Sequence, residues 1–165
     1  MTRRLKLYYI DDKYIDFLRK YDSRVAYNKN GTRPYVGVVY QYNEMTYFAP
    51  LSSPKPKHLT MNKNMVDIWK IEDGKLGIVN FNNMIPCFIS VLTEAIPKIQ
   101  DIKYKKLLEN QISSINANRD QLLHKVILFR KKYDNKFLGE NVLKRCCDFR
   151  LLEEKCHLYQ SNTNN

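Results

Sequence analysis

The apolar residues of this chain change their spacing near residue 101, and that change constrains the fold more than any other feature. Before it, short segments rich in β-branched and aromatic residues are separated by turn residues. After it, apolar residues recur every three or four positions. The first pattern predicts strands and the second predicts helices. Strands followed by a block of helices, without alternating β-α-β units, predict an α+β fold. A length of 165 residues fits a compact single domain.

The first part of the chain predicts two hairpins and two further strands. Strands are expected at residues 7–10, 35–42, 45–51, 69–72, 76–80 and 84–89. Asn43-Glu44 and Asp73-Gly74 are the predicted turns, and Pro86 marks an edge strand or a break. Asp11 is expected to cap a helix over residues 12–21, and an irregular loop to follow at 22–34.

The second part predicts helices between about residues 101 and 135. They are either two consecutive helices or one kinked helix, and the sequence from Asn118 to Gln121 resembles a capping box. Asp148 is expected to cap a last helix that ends near Tyr159. The predicted domain therefore covers residues 1–159, and residues 160–165 form a polar tail that we expect to be disordered.

The chain carries a large excess of positive charge. Lys and Arg total 28 against 17 Asp and Glu, a formal net charge of +11. Such a charge favours nucleic acid or an anionic membrane surface as a partner, although a merely solvated basic surface is the alternative. No apolar run is long enough to span a bilayer, and the basic N-terminus lacks the apolar stretch of a signal peptide. We therefore expect a cytoplasmic protein.

The cysteines do not suggest a metal site. Cys146, Cys147, Cys156 and His157 lie close in sequence, but two of them are immediate neighbours and no Cys-x-x-Cys occurs. In a cytoplasmic chain, reduced thiols are the expectation.

A proline-rich segment near residue 50 carries the best candidate for chemistry. An apolar strand runs into Ser52 and Ser53, with Pro50, Pro54 and Pro56 around them. Proline fixes φ and extends the preceding residue, so this is a stiff loop at a strand end. The hydroxyls of this loop stand beside cationic side chains, so the loop is suited to hold a phosphate. The alternative without a function is an ordinary turn with solvated lysines.

Metal-free RNA cleavage needs few parts: a group to take the 2′-hydroxyl proton, a group to protonate the leaving 5′-oxygen, and cations to offset charge on the phosphate. Lys55, Lys57 and Arg33 can supply charge, and Ser52 and Ser53 oriented hydrogen bonds. His58 is a candidate general base on a loop predicted to lie at the surface. No Asp-x-Asp cluster, P-loop or Gly-x-Ser-x-Gly motif is present.

Four segments resemble the ToxN/AbiQ family of endoribonuclease toxins from type III toxin–antitoxin systems. They occur in family order along nearly the whole chain, and the second of them is the most specific. The segments are Tyr35-Val36-Gly37-Val38-Val39, residues 47–55 (Tyr-Phe-Ala-Pro-Leu-Ser-Ser-Pro-Lys), residues 76–80 with Met84-Ile85-Pro86, and residues 149–155 (Phe-Arg-Leu-Leu-Glu-Glu-Lys).

The resemblance implies a strongly curved antiparallel sheet, similar to the MazF/Kid barrel core, with helices around it. It implies cleavage without a metal or other cofactor, leaving a 2′,3′-cyclic phosphate and a 5′-hydroxyl. The implied partner is a small antitoxin RNA made of tandem repeats, often a pseudoknot. The toxin processes this RNA from a precursor, and the RNA then holds the toxin inactive in a closed protein–RNA assembly. Cellular or phage RNA is the implied substrate, and neither a membrane nor DNA is expected.

By motif, Ser53 is the position essential for cleavage, Ser52 stands where the family often has Thr, and Lys55 is the basic residue that follows. Arg33 stands where relatives carry Lys, and arginine stays protonated, so a phosphate-binding role suits it better than proton transfer. The candidates for antitoxin contact are basic residues spread along the chain: Arg3, Arg4, Lys29, Lys57, Lys63, Lys103, Lys105, Lys106, Lys131 and Lys132.

Two other functions fit the same sequence. A non-catalytic basic RNA-binding module explains the charge and treats Ser52-Ser53 as a turn. A toxin of the same core fold regulated by a protein antitoxin is the second, and the gene neighbourhood would distinguish it.

Overall fold

The computed structural model describes residues 3–164 and has an antiparallel sheet with helices packed around it. Within these residues the chain forms seven strands and six α-helices. Strands and helices are interspersed up to β7, and only helices follow it. In chain order they are β1 (Lys6–Ile10), α1 (Asp12–Arg19), β2 (Tyr35–Tyr42), β3 (Met45–Ser52), α2 (Pro56–Thr60), β4 (Ile68–Lys70), β5 (Ile78–Asn80), β6 (Ile85–Cys87), β7 (Leu92–Glu94), α3 (Ile102–Ala117), α4 (Arg119–Asp134), α5 (Glu140–Arg145) and α6 (Phe149–Thr163). The predicted α+β class with an antiparallel sheet is confirmed.

Strand β3 is the centre of the sheet. The strand order is β4-β5-β3-β2-β1-β7, and β6 also pairs with β3. The first half of β3 pairs with β6 and its last two residues, Leu51 and Ser52, pair with β5. Gly37 lies opposite Phe48 across the β2–β3 ladder, and a Cβ at this glycine would lie 2.1 Å from the Phe48 ring. The strand therefore needs glycine at this position.

The helices bury aromatic residues against the sheet and against one another. Phe129 of α4 packs between Phe81 and Phe149, with ring centroids 6.4 and 6.0 Å away. Tyr159 of α6 packs on Tyr14 of α1 at 5.1 Å. Burying such rings is worth a few kcal/mol each, so these contacts fix the helices on the sheet.

Two of the predicted caps are confirmed and one is wrong. The Asp11 carboxylate accepts a hydrogen bond from Lys13 N at 2.8 Å, and that of Asp148 from Leu151 N at 3.2 Å. Asn118 separates α3 from α4, which confirms two consecutive helices. However, its side chain donates back to the Ser114 carbonyl at 3.0 Å, so the predicted capping box does not form.

The last helix is longer than predicted. It continues through Thr163, so residues 160–163 are helical and the expectation of a disordered tail was wrong for them. Residues Met1, Thr2 and Asn165 lie outside the described residues. No helix within residues 3–164 combines the length and apolar character needed to cross a membrane.

The four cysteines are buried free thiols. Burial raises the pKa of Cys146 to about 12. Within residues 3–164, no three His, Cys, Asp or Glu side chains are grouped so that they could hold a metal ion.

Candidate active site

The two serines lie where β3 leaves the sheet. Ser52 is the last residue of the strand and is half-buried, whereas Ser53, Pro54 and Lys55 are exposed and lead directly into α2. The prolines prevent this segment from continuing the ladder or starting the helix earlier. The structure thus places Ser53 and Lys55 together at an accessible rim.

A glycine turn supports the serine loop from beneath. Gly77 has φ +96°, and a Cβ there would lie 2.1 Å from the Ser52 carbonyl oxygen and 3.3 Å from Pro54 N. Helix α3 holds this turn in place, because Gln111 donates to the Leu76 carbonyl at 2.8 Å. The loop is therefore fixed by direct backbone contact with a second element.

Asn80 orients the Ser52 hydroxyl. Its side-chain amide donates to Ser52 Oγ at 3.0 Å and to the Pro50 carbonyl at 3.4 Å. Because Ser52 Oγ already accepts, its proton is free to donate toward a phosphate oxygen. Asn80 was not predicted as a site residue, although it is the last residue of the 76–80 stretch that resembles the family.

Arg33 lies beside the serines because of strand register. Leu51 N donates to the Pro34 carbonyl at 3.0 Å, which extends the β2–β3 ladder toward the rim. Arg33 Nε donates to the Tyr27 carbonyl at 2.6 Å, and its Nη1 lies 3.4 Å from the Leu51 carbonyl. The guanidinium is thus anchored by backbone next to the end of β3.

Lys29 joins this cationic cluster. Partial burial of the otherwise exposed Lys29 lowers its pKa, and the positive charges of Arg33 and Lys55 lower it further. Lys29 therefore lies near both Arg33 and Lys55, and three neighbouring cations form a local concentration of positive charge suited to a phosphodiester. Lys29 was predicted only as a residue for antitoxin contact, and its place beside Arg33 depends on the fold of the 22–34 loop.

His58 is not at the surface, so that expectation was wrong. It lies in α2 with 0% of its surface exposed, because the turn at Gly74 packs on its backbone. Its Nδ1 accepts a hydrogen bond from Lys55 N at 3.1 Å. Burial lowers the pKa of His58, and the charges of Lys57, Lys55 and Lys70 add to the effect. The lowered pKa and the acceptor role of Nδ1 both favour a neutral imidazole that holds the Lys55 backbone.

The other basic candidates are distributed over several elements. Nine of the ten residues predicted for antitoxin contact are exposed, and Lys105 is half-buried. Within residues 3–164 none of the ten forms an ion pair. Three of them lie in the first turns of α3 and two in the last turn of α4.

Comparison with known proteins decides the family. The model of the ToxN toxin of type III toxin–antitoxin systems matches residues 6–157. The chain belongs to this family.

Individual ToxN-family proteins match over nearly their whole length. Endoribonuclease ToxN of Bacillus thuringiensis subsp. kurstaki is 33% identical, over 94% of this chain and 84% of that protein. The structure of AbiQ, a lactococcal anti-phage endoribonuclease of a type III system, superposes with a TM-score of 0.83 at 30% identity, covering 96% of this chain and 99% of AbiQ. A type III toxin that is selectively inhibited by a non-coding RNA pseudoknot superposes with a TM-score of 0.79 at 32% identity, covering 96% and 99%. The family predicted from the four sequence segments is confirmed.

Proposed function

We propose that this ToxN-family chain is a metal-independent endoribonuclease toxin that acts in the bacterial cytoplasm. The observation that carries the proposal is the exposed Ser53 loop, which sits beside Arg33 and Lys55 and is fixed from beneath by Gly77. Relatives at 33% identity bear the name endoribonuclease, which supports RNA as the substrate.

The proposed reaction is an internal transesterification. The RNA 2′-oxygen attacks the adjacent phosphorus, the bond from phosphorus to the 5′-oxygen breaks, and the 2′ proton leaves as the 5′-oxygen gains one. The products are a 2′,3′-cyclic phosphate and a 5′-hydroxyl. Ser53 orients the reacting 2′-hydroxyl, and the Ser52 hydroxyl donates to a non-bridging phosphate oxygen.

The cations have separate tasks in this scheme. Arg33, held by two carbonyls, binds the phosphate and offsets the charge that develops on it. Lys55, an exposed residue two positions after Ser53, adds further positive charge. Lys29 carries a lowered pKa, so its ammonium releases a proton more readily than an ordinary lysine and suits protonation of the leaving oxygen.

In this scheme His58 positions the loop and takes no part in proton transfer. Its ring accepts from Lys55 N and thereby fixes the backbone that follows Ser53. A buried ring cannot exchange protons with RNA without a rearrangement of α2, so a positioning role replaces the general-base role for His58.

The proposed regulator is an antitoxin RNA, processed by the toxin from a tandem-repeat precursor and bound in a closed assembly. The pseudoknot that inhibits a structurally similar toxin supports an RNA regulator for this chain. The unpaired basic residues on α3, on α4 and in the loops provide phosphate contacts, so binding should weaken steeply with salt.

The test compares Ser53→Ala with Ser113→Ala, a control at an exposed serine of α3. With chelator present throughout, we expect the rate of RNA cleavage by Ser53→Ala to be at least about 100-fold lower than that of the unmodified protein. It should still bind antitoxin RNA within a few-fold of the unmodified protein, and Ser113→Ala should retain both properties. Undiminished cleavage by Ser53→Ala would rule out this site, and no cleavage by any form would favour a non-catalytic RNA-binding module.

A further inference from the structure

A phenylalanine that follows α4 projects into solvent. Phe137 exposes 78% of its surface, more than any other Phe, Tyr or Trp in the part of the chain that the structure describes. A single exposed apolar side chain is common in proteins and by itself marks no site. The backbone and the charges around Phe137 therefore decide what this ring can do.

The backbone holds the ring away from the helix in an ordered turn. Phe137 N donates to the Lys132 carbonyl at 2.8 Å, and Lys136 N donates to the Tyr133 carbonyl at 3.2 Å. These two bonds form a Schellman motif, in which Lys136 takes the left-handed conformation with φ +60°. The apolar residue after that position frequently packs back on the helix. Phe137 occupies the position but stays exposed, so a hydrogen-bonded turn presents its ring to solvent.

The charged residues around this turn are mostly lysines without an ion-pair partner. Four of them are exposed and form no ion pair within residues 3–164: Lys131, Lys132, Lys136 and Lys144. Asp134 is paired with Arg130, and Arg145 with Asp67. Among the described residues, Glu140 is then the one acidic side chain between 131 and 145 that has no ion pair. An exposed ring among cations suits an unpaired nucleotide, whose base stacks on the ring while its phosphates meet the ammonium groups.

Helix packing places this turn at the opposite end of the β2–β3 hairpin from the serine loop. The guanidinium carbon of Arg130, in the last turns of α4, lies 5.8 Å from the centre of the Tyr42 ring. Tyr42 pairs with Met45 at the closed end of the hairpin, and Ser52 is the last of the eight residues of β3. At about 3.3 Å per residue, the two ends of β3 lie roughly 20 Å apart. A folded RNA can span both ends, whereas a short RNA held at the serine loop does not reach the turn.

We propose that Phe137, Lys131, Lys132, Lys136 and Lys144 form a contact surface for the antitoxin RNA, with an unpaired base of that RNA stacked on the Phe137 ring. We call these five residues the Phe137 surface. Its positive charge favours a polyanion over a neutral protein partner. An anionic membrane is disfavoured, because membrane-surface binding needs a helix with a broad apolar face rather than one ring. This inference rests on the proposed RNA regulator and adds where that RNA is held, away from the site of cleavage.

The test starts from the complex purified from cells that carry the gene together with its flanking DNA. The RNA in this complex is sequenced and transcribed in vitro, and its Kd is measured by filter binding for variants shown to be folded by circular dichroism. We expect Phe137→Ala and Phe137→Leu each to weaken binding about ten-fold or more, because leucine keeps the apolar character but lacks a ring face for stacking. Phe137→Trp should bind as the unmodified protein does. Ile89→Ala, at a residue that is 88% exposed between β6 and β7, is the control and should also bind normally.

Two further readouts separate stacking from charge and from a change in fold. Lys136→Gln should lower the slope of log Kd against log salt by about one, whereas Phe137→Leu should leave that slope unchanged. Ultraviolet irradiation of the complex should cross-link RNA to the tryptic peptide 137–144, which begins with the ring, and Phe137→Leu should abolish this cross-link. Cleavage of a short RNA should be unchanged in all these variants, because the Phe137 surface lies away from the serine loop.

Normal RNA affinity of Phe137→Ala, tight binding by Phe137→Leu, or cross-links only to other peptides would overturn the proposal. Phe137-dependent self-association of the free protein, or Phe137-dependent binding to anionic lipid vesicles, with RNA affinity unchanged, would assign the ring to another partner and overturn it as well. A purified complex without RNA would refute the proposed RNA regulator and this surface together. Failure of the surface alone is distinguishable, because Phe137→Ala would then still form the RNA complex.

Discussion

Replacing Gly77 with alanine tests whether the turn beneath the serine loop sets the geometry of the proposed active site. Gly77 has φ +96°, a region that costs an L-residue about 1–2 kcal/mol. The new Cβ would also lie 2.1 Å from the Ser52 carbonyl oxygen, so the serine loop has to move by about 1 Å to reach an ordinary contact. Both effects arise directly under the two serines.

The expected consequences for stability and for activity differ in size. Strain of about 1–3 kcal/mol should lower the melting temperature by several degrees and leave the protein folded. A displacement of about 1 Å at a catalytic group can cost about 100-fold in rate. We therefore expect kcat/KM for RNA cleavage to fall by roughly two orders of magnitude at a temperature where the variant is fully folded.

Gly139→Ala is the matched control. A Cβ there meets no atom within 4 Å, and its φ of −66° suits any residue. It should change kcat/KM by less than about two-fold, with at most a small loss of stability from the change at the start of α5. A folded Gly77→Ala variant that cleaves RNA normally would refute the idea that this turn positions the serines.

Three further predictions concern groups that lie around the site or hold the fold together. His58→Asn can keep an acceptor for Lys55 N and should retain most of the RNA-cleavage activity, whereas His58→Ala should lose most of it. If both variants were equally inactive in RNA cleavage assays, proton transfer by His58 would be indicated instead. Glu153→Ala removes a partner of the buried Arg130, whose Nη2 lies 3.0 Å from the carboxylate, and should cost about 3 kcal/mol in urea unfolding; a loss below about 1 kcal/mol would contradict a buried pair. If Lys29 protonates the leaving oxygen, kcat/KM should fall as pH rises through its lowered pKa, and Lys29→Arg, which keeps the charge but does not release a proton, should lose most activity at every pH; full activity of Lys29→Arg would exclude proton donation by Lys29.

The strands and helices with long, regular patterns were predictable from sequence. The β2–β3 hairpin has eight residues in each strand, rich in β-branched and aromatic side chains, and α3 and α4 have sixteen residues each, with apolar residues recurring every three or four positions. The caps at Asp11 and Asp148 were predictable because each precedes such a stripe.

Elements defined by their neighbours were not predictable in the same way. Strand β7 has three residues, too few to show alternation, and forms because β1 offers it an edge. Helix α5 has six residues and no buried side chain, so it has no apolar period to detect. The end of α6 was placed four residues early because its last turn is polar.

The same distinction between local patterns and contacts made by the fold applies to the residues of the site. Ser52, Ser53 and Lys55 are contiguous, and their prolines made the loop recognisable. Asn80, Lys29 and the burial of His58 depend on which segments the fold brings beside that loop, which local sequence does not encode. The position of Arg33 could be guessed from the family resemblance, but its two carbonyl anchors come from the sheet rim.

The chemistry of the RNA ends tests the central claim most directly. Purified protein is incubated with RNA in the presence of chelator, and the product termini are identified by enzymatic end-labelling and mass spectrometry. Attack by the 2′-hydroxyl at the serine loop predicts a 2′,3′-cyclic phosphate and a 5′-hydroxyl that appear without added metal and vanish in Ser53→Ala. Products with a 5′-phosphate, or cleavage that requires a divalent cation, would contradict it.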